Sequence, residues 1–281
     1  MRIAIPGDTL SSHSNSGTST PLSSTELEPP LDIIIREAKP SELLHITAIT
    51  LRAYANDDVQ LLIHPPSLVG NSQSTLYYET LSWHRERFMS SGQTTLVALA
   101  PSDLSNPDSR LKVVGFASWH RLRGPGESRK HRADQSTYPR NSLLKRLELY
   151  LIGLIKSVWS FIWPPRSITN WAGLYVYSNA VRRAEKELYG APELRSRWEL
   201  ENLCVDPDYQ KLGIGGRLVD WGCARADEEG LVCTLEASQE GMRLYLKKGF
   251  IKIREEVVVD EKGYGGKAKM VFMMREPVDR K

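Results

Sequence analysis

The stretch VDPDYQKLGIGGRLV, Val205 to Val219, constrains the fold of this chain more than any other. An apolar strand pattern, Trp198 to Val205, stops at the turn Asp206-Pro207-Asp208-Tyr209. Three glycines, Gly213, Gly215 and Gly216, then fall within four positions. A helical pattern follows through Glu229, with Leu218, Val219, Gly222 and Ala226 along one face. Glycine lacks a Cβ and lets backbone come close to a neighbour. A helix N-terminus offers free N–H groups and a favourable dipole to an anion. The unit therefore reads as a strand–turn–helix elbow built for an anion. A dinucleotide fold asks for G-x-G-x-x-G directly after its strand. Here Leu218 stands at the last position and the strand ends near Val205, although Glu236 lies at a workable distance for a ribose contact. A P-loop asks for Gly-Lys-Ser/Thr and meets Gly216-Arg217-Leu218 instead. The third reading is a tight turn with close helix–strand packing.

The flanks supply alternating elements. Ile33 to Arg36 reads as a strand. A helix opens at Pro40-Ser41-Glu42, with Ser41 as N-cap and Leu43, Leu44, Ile46 and Ile49 as its apolar residues. A second helix fits 74–88. Two β-branched runs, 94–100 and 111–122, read as strands joined by a loop of hairpin chemistry. Residues 121–197 form a long insertion before the next strand, with a helix expected over 179–190. After the glycine helix come a strand over 231–238 and a short helix ended by Gly249. Two more strands follow, over 250–260 and 267–277. Helices mixed with a largely antiparallel sheet make the class α+β, or mixed α/β.

A chain of 281 residues suits one generous domain or two small ones. Of the first 30 residues, 17 are Ser, Thr, Pro or Gly. That composition buries little, so 1–31 is expected to be a disordered tail and 32–281 the folded domain. The net charge of +3 is too small to point to nucleic acid. Cys204, Cys223 and Cys233 form no C-x-x-C pair. Their odd number, with no secretory signal, places the chain in a reducing compartment, the cytoplasm, with the nucleus left open. No histidine falls at ligand spacing with them, so no metal site is expected. The segment 121–146 carries eight Lys/Arg against two Asp/Glu, a basic patch that suggests an acidic or phosphorylated acceptor. The same basic rim repels basic peptides, which favours a small-molecule amine over a peptide tail. The apolar run 147–163 is too short to span a bilayer and reads as a buried helix or a lid.

The run Gln210-Lys211-Leu212-Gly213-Ile214-Gly215-Gly216 resembles the Q/R-x-x-G-x-G/A signature of the GNAT N-acetyltransferase superfamily. Downstream, EASQEGMRLYLKKGF resembles the second signature of that family, a Tyr in a short helix ahead of Gly249-Phe250. The two motifs stand in family order, with one helix and one strand between them. The resemblance covers Trp198 to Phe250. It implies a central, mostly antiparallel sheet flanked by helices, with 121–197 lying between the third and fourth strands as an acceptor-side lid.

The resemblance also implies acetyl-CoA as donor and an amine as acceptor. The anion at the elbow is then the CoA pyrophosphate, cradled by backbone across Gln210, Lys211, Leu212, Gly213, Ile214, Gly215 and Gly216. Leu203, Cys204 and Val205 occupy the strand positions that pair with the pantetheine arm. Glu199 and Glu201 occupy the two positions where relatives place a general base, with Glu201 slightly preferred. Strand periodicity puts both on one face with Leu203 and Val205. Tyr245 matches the Tyr that faces the CoA sulfur. Ser238 stands where many relatives have Asn, so its contact to the pantetheine arm has a shorter reach. Cys204 also suggests an acetyl-cysteine route. Two other functions remain open: a non-catalytic acyl-CoA-binding or regulatory protein, and an NAD-linked enzyme.

Overall fold

Alternating β-branched, aromatic and small residues build seven strands into one sheet of order β1-β2-β3-β4-β5-β7-β6. The chain runs β1 (Ile34–Glu37), α1 (Leu43–Ala53), α2 (Asp58–Ile63), α3 (Pro66–Val69), α4 (Gln73–Phe88), β2 (Gln93–Pro101) and β3 (Leu111–Leu122). It continues through α5 (Trp171–Tyr189), β4 (Arg197–Val205), α6 (Ile214–Glu229), β5 (Cys233–Ala237), α7 (Met242–Lys247), β6 (Ile251–Val259) and β7 (Lys267–Arg275). This computed structural model describes residues 32–127, 168–261 and 263–278. The tail 1–31, the basic residues beyond 127 and the apolar run 147–163 lie outside the described residues. Among those described, no helix is long and apolar enough to cross a membrane.

Every strand pair is antiparallel except β4–β5. The α+β class and the insertion between β3 and β4 are as expected. One face is covered by α6 and α7 over Leu96, Trp119, Trp198, Leu200, Leu235 and Val271. The opposite face divides in two. Residues of α1 and α4 pack on Val97, Phe116 and Cys204. Ala180 and Ala184 of α5, with Leu62 of α2, pack on Val258, Ala268, Met270 and Phe272. The insertion is thus partly core: its α5 half completes the sheet's second face.

Three local readings differ from the structure. Ser41 is not a cap; the Lys39 N–H is taken by the Glu42 carboxylate at 2.7 Å, which also holds Arg36. Leu44 points outward and is 52% exposed. Helix α5 starts at Trp171, capped by Asn170, well before position 179. Trp171 and Tyr175 are both exposed, so its first turns lack a one-sided apolar pattern.

Helix α6 comes close to the sheet at Gly222. A Cβ built there would sit inside the Trp119 indole, whose Nε1 donates to Leu218 O at 3.3 Å. Ala at this position gains helix propensity of about 0.8–1 kcal/mol but forces a buried Trp aside. We expect Gly222→Ala to destabilise by about 2–3 kcal/mol, read as a lower denaturation midpoint at unchanged m-value.

Candidate active site

The site grows out of how β4 leaves its neighbour. Its parallel ladder with β5 holds only Trp198↔Cys233, Glu199↔Thr234 and Leu200↔Leu235. Beyond Leu200 the strands part, while β4 stays paired with β3 as far as Val205. Backbone groups of alternate residues point to opposite edges of an antiparallel strand. Asp206 N donates back to Val114 O, and the Cys204 carbonyl abuts Gly115, so Cys204 and Asp206 serve β3. Leu203 and Val205 therefore face the gap. Their carbonyls take Tyr54 Oη at 3.5 Å and Gln210 Nε2 at 3.2 Å. Their N–H groups point the same way.

A bulge sets the side chains. Ser118 faces Asn202 and Trp119 faces Leu200, which leaves Glu201 as the extra residue on β4. The alternation therefore flips. Trp198, Leu200, Leu203 and Val205 all pack under α6, whereas Cys204 packs toward α1 and α4. The period-two reading that put Glu199 and Glu201 with Leu203 and Val205 is thus corrected: both acids lie on the opposite face.

On that face a cavity of about 250 Å³ is lined by Arg87, Tyr177, Glu185, Glu199, Glu201 and Glu236, with apolar side chains from β7 and α5. The two strand acids differ sharply. Glu201 is hydrogen-bonded by Arg87, by Gln93 Nε2 at 2.6 Å and by His120 Nδ1 at 3.2 Å. Burial alone would raise its pKa, but those donors outweigh it and hold the carboxyl below its usual range. Glu199 has one ion-pair partner among the described residues, Arg197 at 3.7 Å. Burial pushes it up to about 7, against the pull of Arg197. Glu199 is thus the acid poised near neutrality, and Glu201 is the anchored one. Atoms of His120, Glu199 and Glu201 all lie within 4.8 Å of one another. The Arg87 guanidinium also lies at Glu201.

The elbow is held from several directions. Arg52 clasps Asp206 at 2.7 Å and 2.9 Å, and Asp208 at 3.0 Å. Buried Tyr209 donates to Pro101 O at 2.8 Å. Lys211 and Gly213 both have positive φ, 65° and 80°. Gly213 is the N-cap of α6, and a Cβ there would meet open space. Its glycine is required by φ, not by crowding. A Cβ at Gly215 would touch Leu244 at 3.3 Å, and one at Gly216 would touch Lys248 at 3.3 Å. The α6 N-terminus, with Ile214, Gly215 and Gly216 in its first turn, leaves N–H groups without intrahelical partners. Leu212 is exposed at the loop tip.

Tyr245 on α7 is buried, and its ring meets Phe250 edge-on at 5.9 Å. Burial pushes its phenol well above the usual range, with the nearby Cys204 sulfur adding to the shift. Burial likewise pushes the Cys204 thiol up to about 12, so it is a poor nucleophile. Ser238 Oγ accepts from Gly241 N at 3.2 Å, which ties it to the start of α7. Glu236, the ribose candidate of the dinucleotide reading, faces the cavity on the side opposite α6. There it accepts from Tyr177 Oη at 3.2 Å on both oxygens. Tyr54 was not foreseen; its hydroxyl donates to Asn202 Oδ1 at 2.9 Å beside Cys204. Its only sequence signal was a Tyr at the end of a helical pattern.

Residues 176–262 match the family model described as "Acetyltransferase (GNAT) domain". No curated protein matches the chain. Similar solved structures include a Drosophila melanogaster polyamine N-acetyltransferase that forms N-acetylagmatine. It has 15% identity and TM-score 0.48, with 87% of this chain and 100% of that one covered. Another is described as histone acetyltransferase HPA2 and related acetyltransferase, from Corynebacterium glutamicum, at 16% identity, TM-score 0.47 and coverage of 88% and 97%. A third is yncA from Salmonella typhimurium, solved with acetyl-CoA, at 16% identity, TM-score 0.42 and coverage of 88% and 95%. Residues 176–262 of this chain thus match the acetyltransferase domain of the GNAT superfamily, on a sheet with the topology that the sequence resemblance implied.

Proposed function

We propose that this protein moves the acetyl group of acetyl-CoA directly to the amine of a small-molecule acceptor. One observation carries the reading: the β4–β5 ladder opens after Leu200 and turns the Leu203 and Val205 backbone toward the gap. The glycine-started helix α6 follows on the same strand, and Glu199 lies on the other side of it.

Acetyl-CoA, when bound, supplies an activated thioester. The α6 N-terminus and the loop from Gln210 to Gly216 fit its pyrophosphate, since Gly213 leaves open space and the first-turn N–H groups point outward. The N–H groups of Leu203 and Val205 fit its pantetheine arm, and one of them receives the negative charge that grows on the carbonyl oxygen. Glu199 takes the amine proton as the N–C bond forms and the C–S bond breaks. Tyr245 stays protonated through the neutral range, so its O–H donates a hydrogen bond to the departing thiolate, which then takes its proton from solvent. Glu201, fixed by Arg87, Gln93 and His120, holds the bulged backbone in place.

A thermal shift tests the donor. Saturation at about 100 times Kd stabilises by roughly 2.7 kcal/mol. We expect that shift with acetyl-CoA for the native protein and for Gly213→Asn, which tolerates positive φ. Gly213→Asp has the same shape but puts a negative charge at the anion site, and should lose it. Equal shifts for Asn and Asp, or none in the native protein, would contradict the pyrophosphate placement.

A further inference from the structure

We propose that the cavity beside Glu199 contains a second cation subsite, formed by Glu236, Tyr177 and Glu185, and that the acceptor is a short diamine whose far ammonium sits there. The inference rests on the acyl-transfer reading and adds the substrate class.

The charge balance of the cavity leads to it. Four glutamates line this space against one arginine, Arg87. That guanidinium is already spent on Glu201. Among the cavity acids, Arg197 pairs with Glu199 alone, at 3.7 Å. Glu185 and Glu236 have no cationic partner within ion-pair distance among the described residues, and Glu236 accepts only from Tyr177. A buried carboxylate without a cation is costly, and a bound cation removes that cost. One ammonium from the reacting end suits Glu199. The surplus acid beyond it suits a second.

Position supports the same conclusion. Glu199 pairs with Thr234, and Glu236 lies two residues further along β5 on the same face. At strand spacings of ~4.8 Å and rises of ~3.3 Å per residue, their Cα atoms stand about 8 Å apart. That separation suits two charges joined by a short alkyl chain. Phe272 supplies apolar wall between them, and Val181 and Tyr189 close the α5 side.

The carboxyls also sense each other. Burial pushes Glu199 and Glu236 each to about 7; Glu185 and Glu201 add repulsion at Glu199 against Arg197 and His120, and Asp57, Glu185 and Glu199 add it at Glu236 against Tyr177. An ammonium favours the ionised forms, so diamine binding near pH 7 should release protons. Affinity should rise as pH rises through 7.

The test is calorimetric titration of the unliganded protein with putrescine, a four-carbon diamine, and n-butylamine, its one-ended counterpart. Two buffers of different ionisation enthalpy report the protons. We expect putrescine to bind at least tenfold more tightly, with proton release. In Glu236→Gln and in Tyr177→Phe the ratio should fall to within about threefold of one; thermal melts of each variant establish that it is folded. Equal affinities in the native protein, no putrescine binding, or an undiminished ratio in folded Glu236→Gln would overturn the proposal. Because these titrations omit acetyl-CoA, they judge the subsite separately. Acetyl-CoA binding with no diamine preference would sink the subsite alone, whereas diamine binding without acetyl-CoA binding would sink the transferase reading.

Discussion

Glu199→Gln is expected to lower kcat/KM for the amine by about 10²–10⁴-fold above neutral pH. The amide keeps the shape of the side chain but cannot take a proton. The sign of the pH effect follows from the burial of Glu199. Its carboxyl is pushed up to about 7, so it is protonated and inactive as a base below that value and ionised above it. The native profile of kcat/KM should therefore bend near pH 7, and the variant should lose the bend. An amine of ordinary pKa, about 10.4, adds its own rise at higher pH in both proteins. Initial rates across pH 5.5–9 separate the two. Glu201→Gln makes the comparison informative. Its carboxyl is held ionised by Arg87, Gln93 and His120, so its loss should disturb the bulge and KM but leave the bend in place. If the bend vanished in Glu201→Gln and survived in Glu199→Gln, the roles assigned to the two acids would be reversed.

Tyr245→Phe is the second large effect. The ring remains, with its edge contact to Phe250, so folding and acetyl-CoA affinity should change little. The hydroxyl proposed to face the departing sulfur is gone. A fall in kcat of about 10²–10³-fold is expected, the scale of one lost donor at a developing charge. Stopped-flow thiol release measures kcat, and thermal shift measures acetyl-CoA affinity. The same variant separates catalysis from mere recognition. A protein that only senses acyl-CoA would lose nothing in Tyr245→Phe, because its output depends on binding.

Much of this site is local in sequence and could be read there. The elbow from Val205 to Leu218, Tyr245 ahead of Gly249-Phe250, and both glutamates of β4 are contiguous patterns with fixed spacing. The glycine placement at position 213 was legible; the structure adds a positive φ and no protein atom near its Cβ position. What could not be read depends on contacts between distant elements. The bulge at Glu201 exists only against Ser118 and Trp119 of β3. A strict alternation therefore put Leu203 and Val205 on the wrong face relative to the acids. Arg87, which anchors Glu201, arrives from α4, more than a hundred residues away. Tyr54 and Tyr177 are ordinary helical tyrosines until the fold brings one to Asn202 and the other to Glu236. The acidic cavity likewise draws on α4, α5, β4 and β5 at once. It supports the cationic acceptor proposed above.

The central claim is acetyl transfer to an amine, and the direct measurement is a coupled product balance. The native protein is incubated with acetyl-CoA and a panel of small amines that includes putrescine. Free thiol is followed continuously, and the amine is analysed by mass spectrometry. The account predicts amine-dependent thiol release, matched one-to-one by an N-acetylated amine and abolished in Glu199→Gln. Acetyl-CoA binding with no amine-dependent thiol release across the whole panel would contradict it.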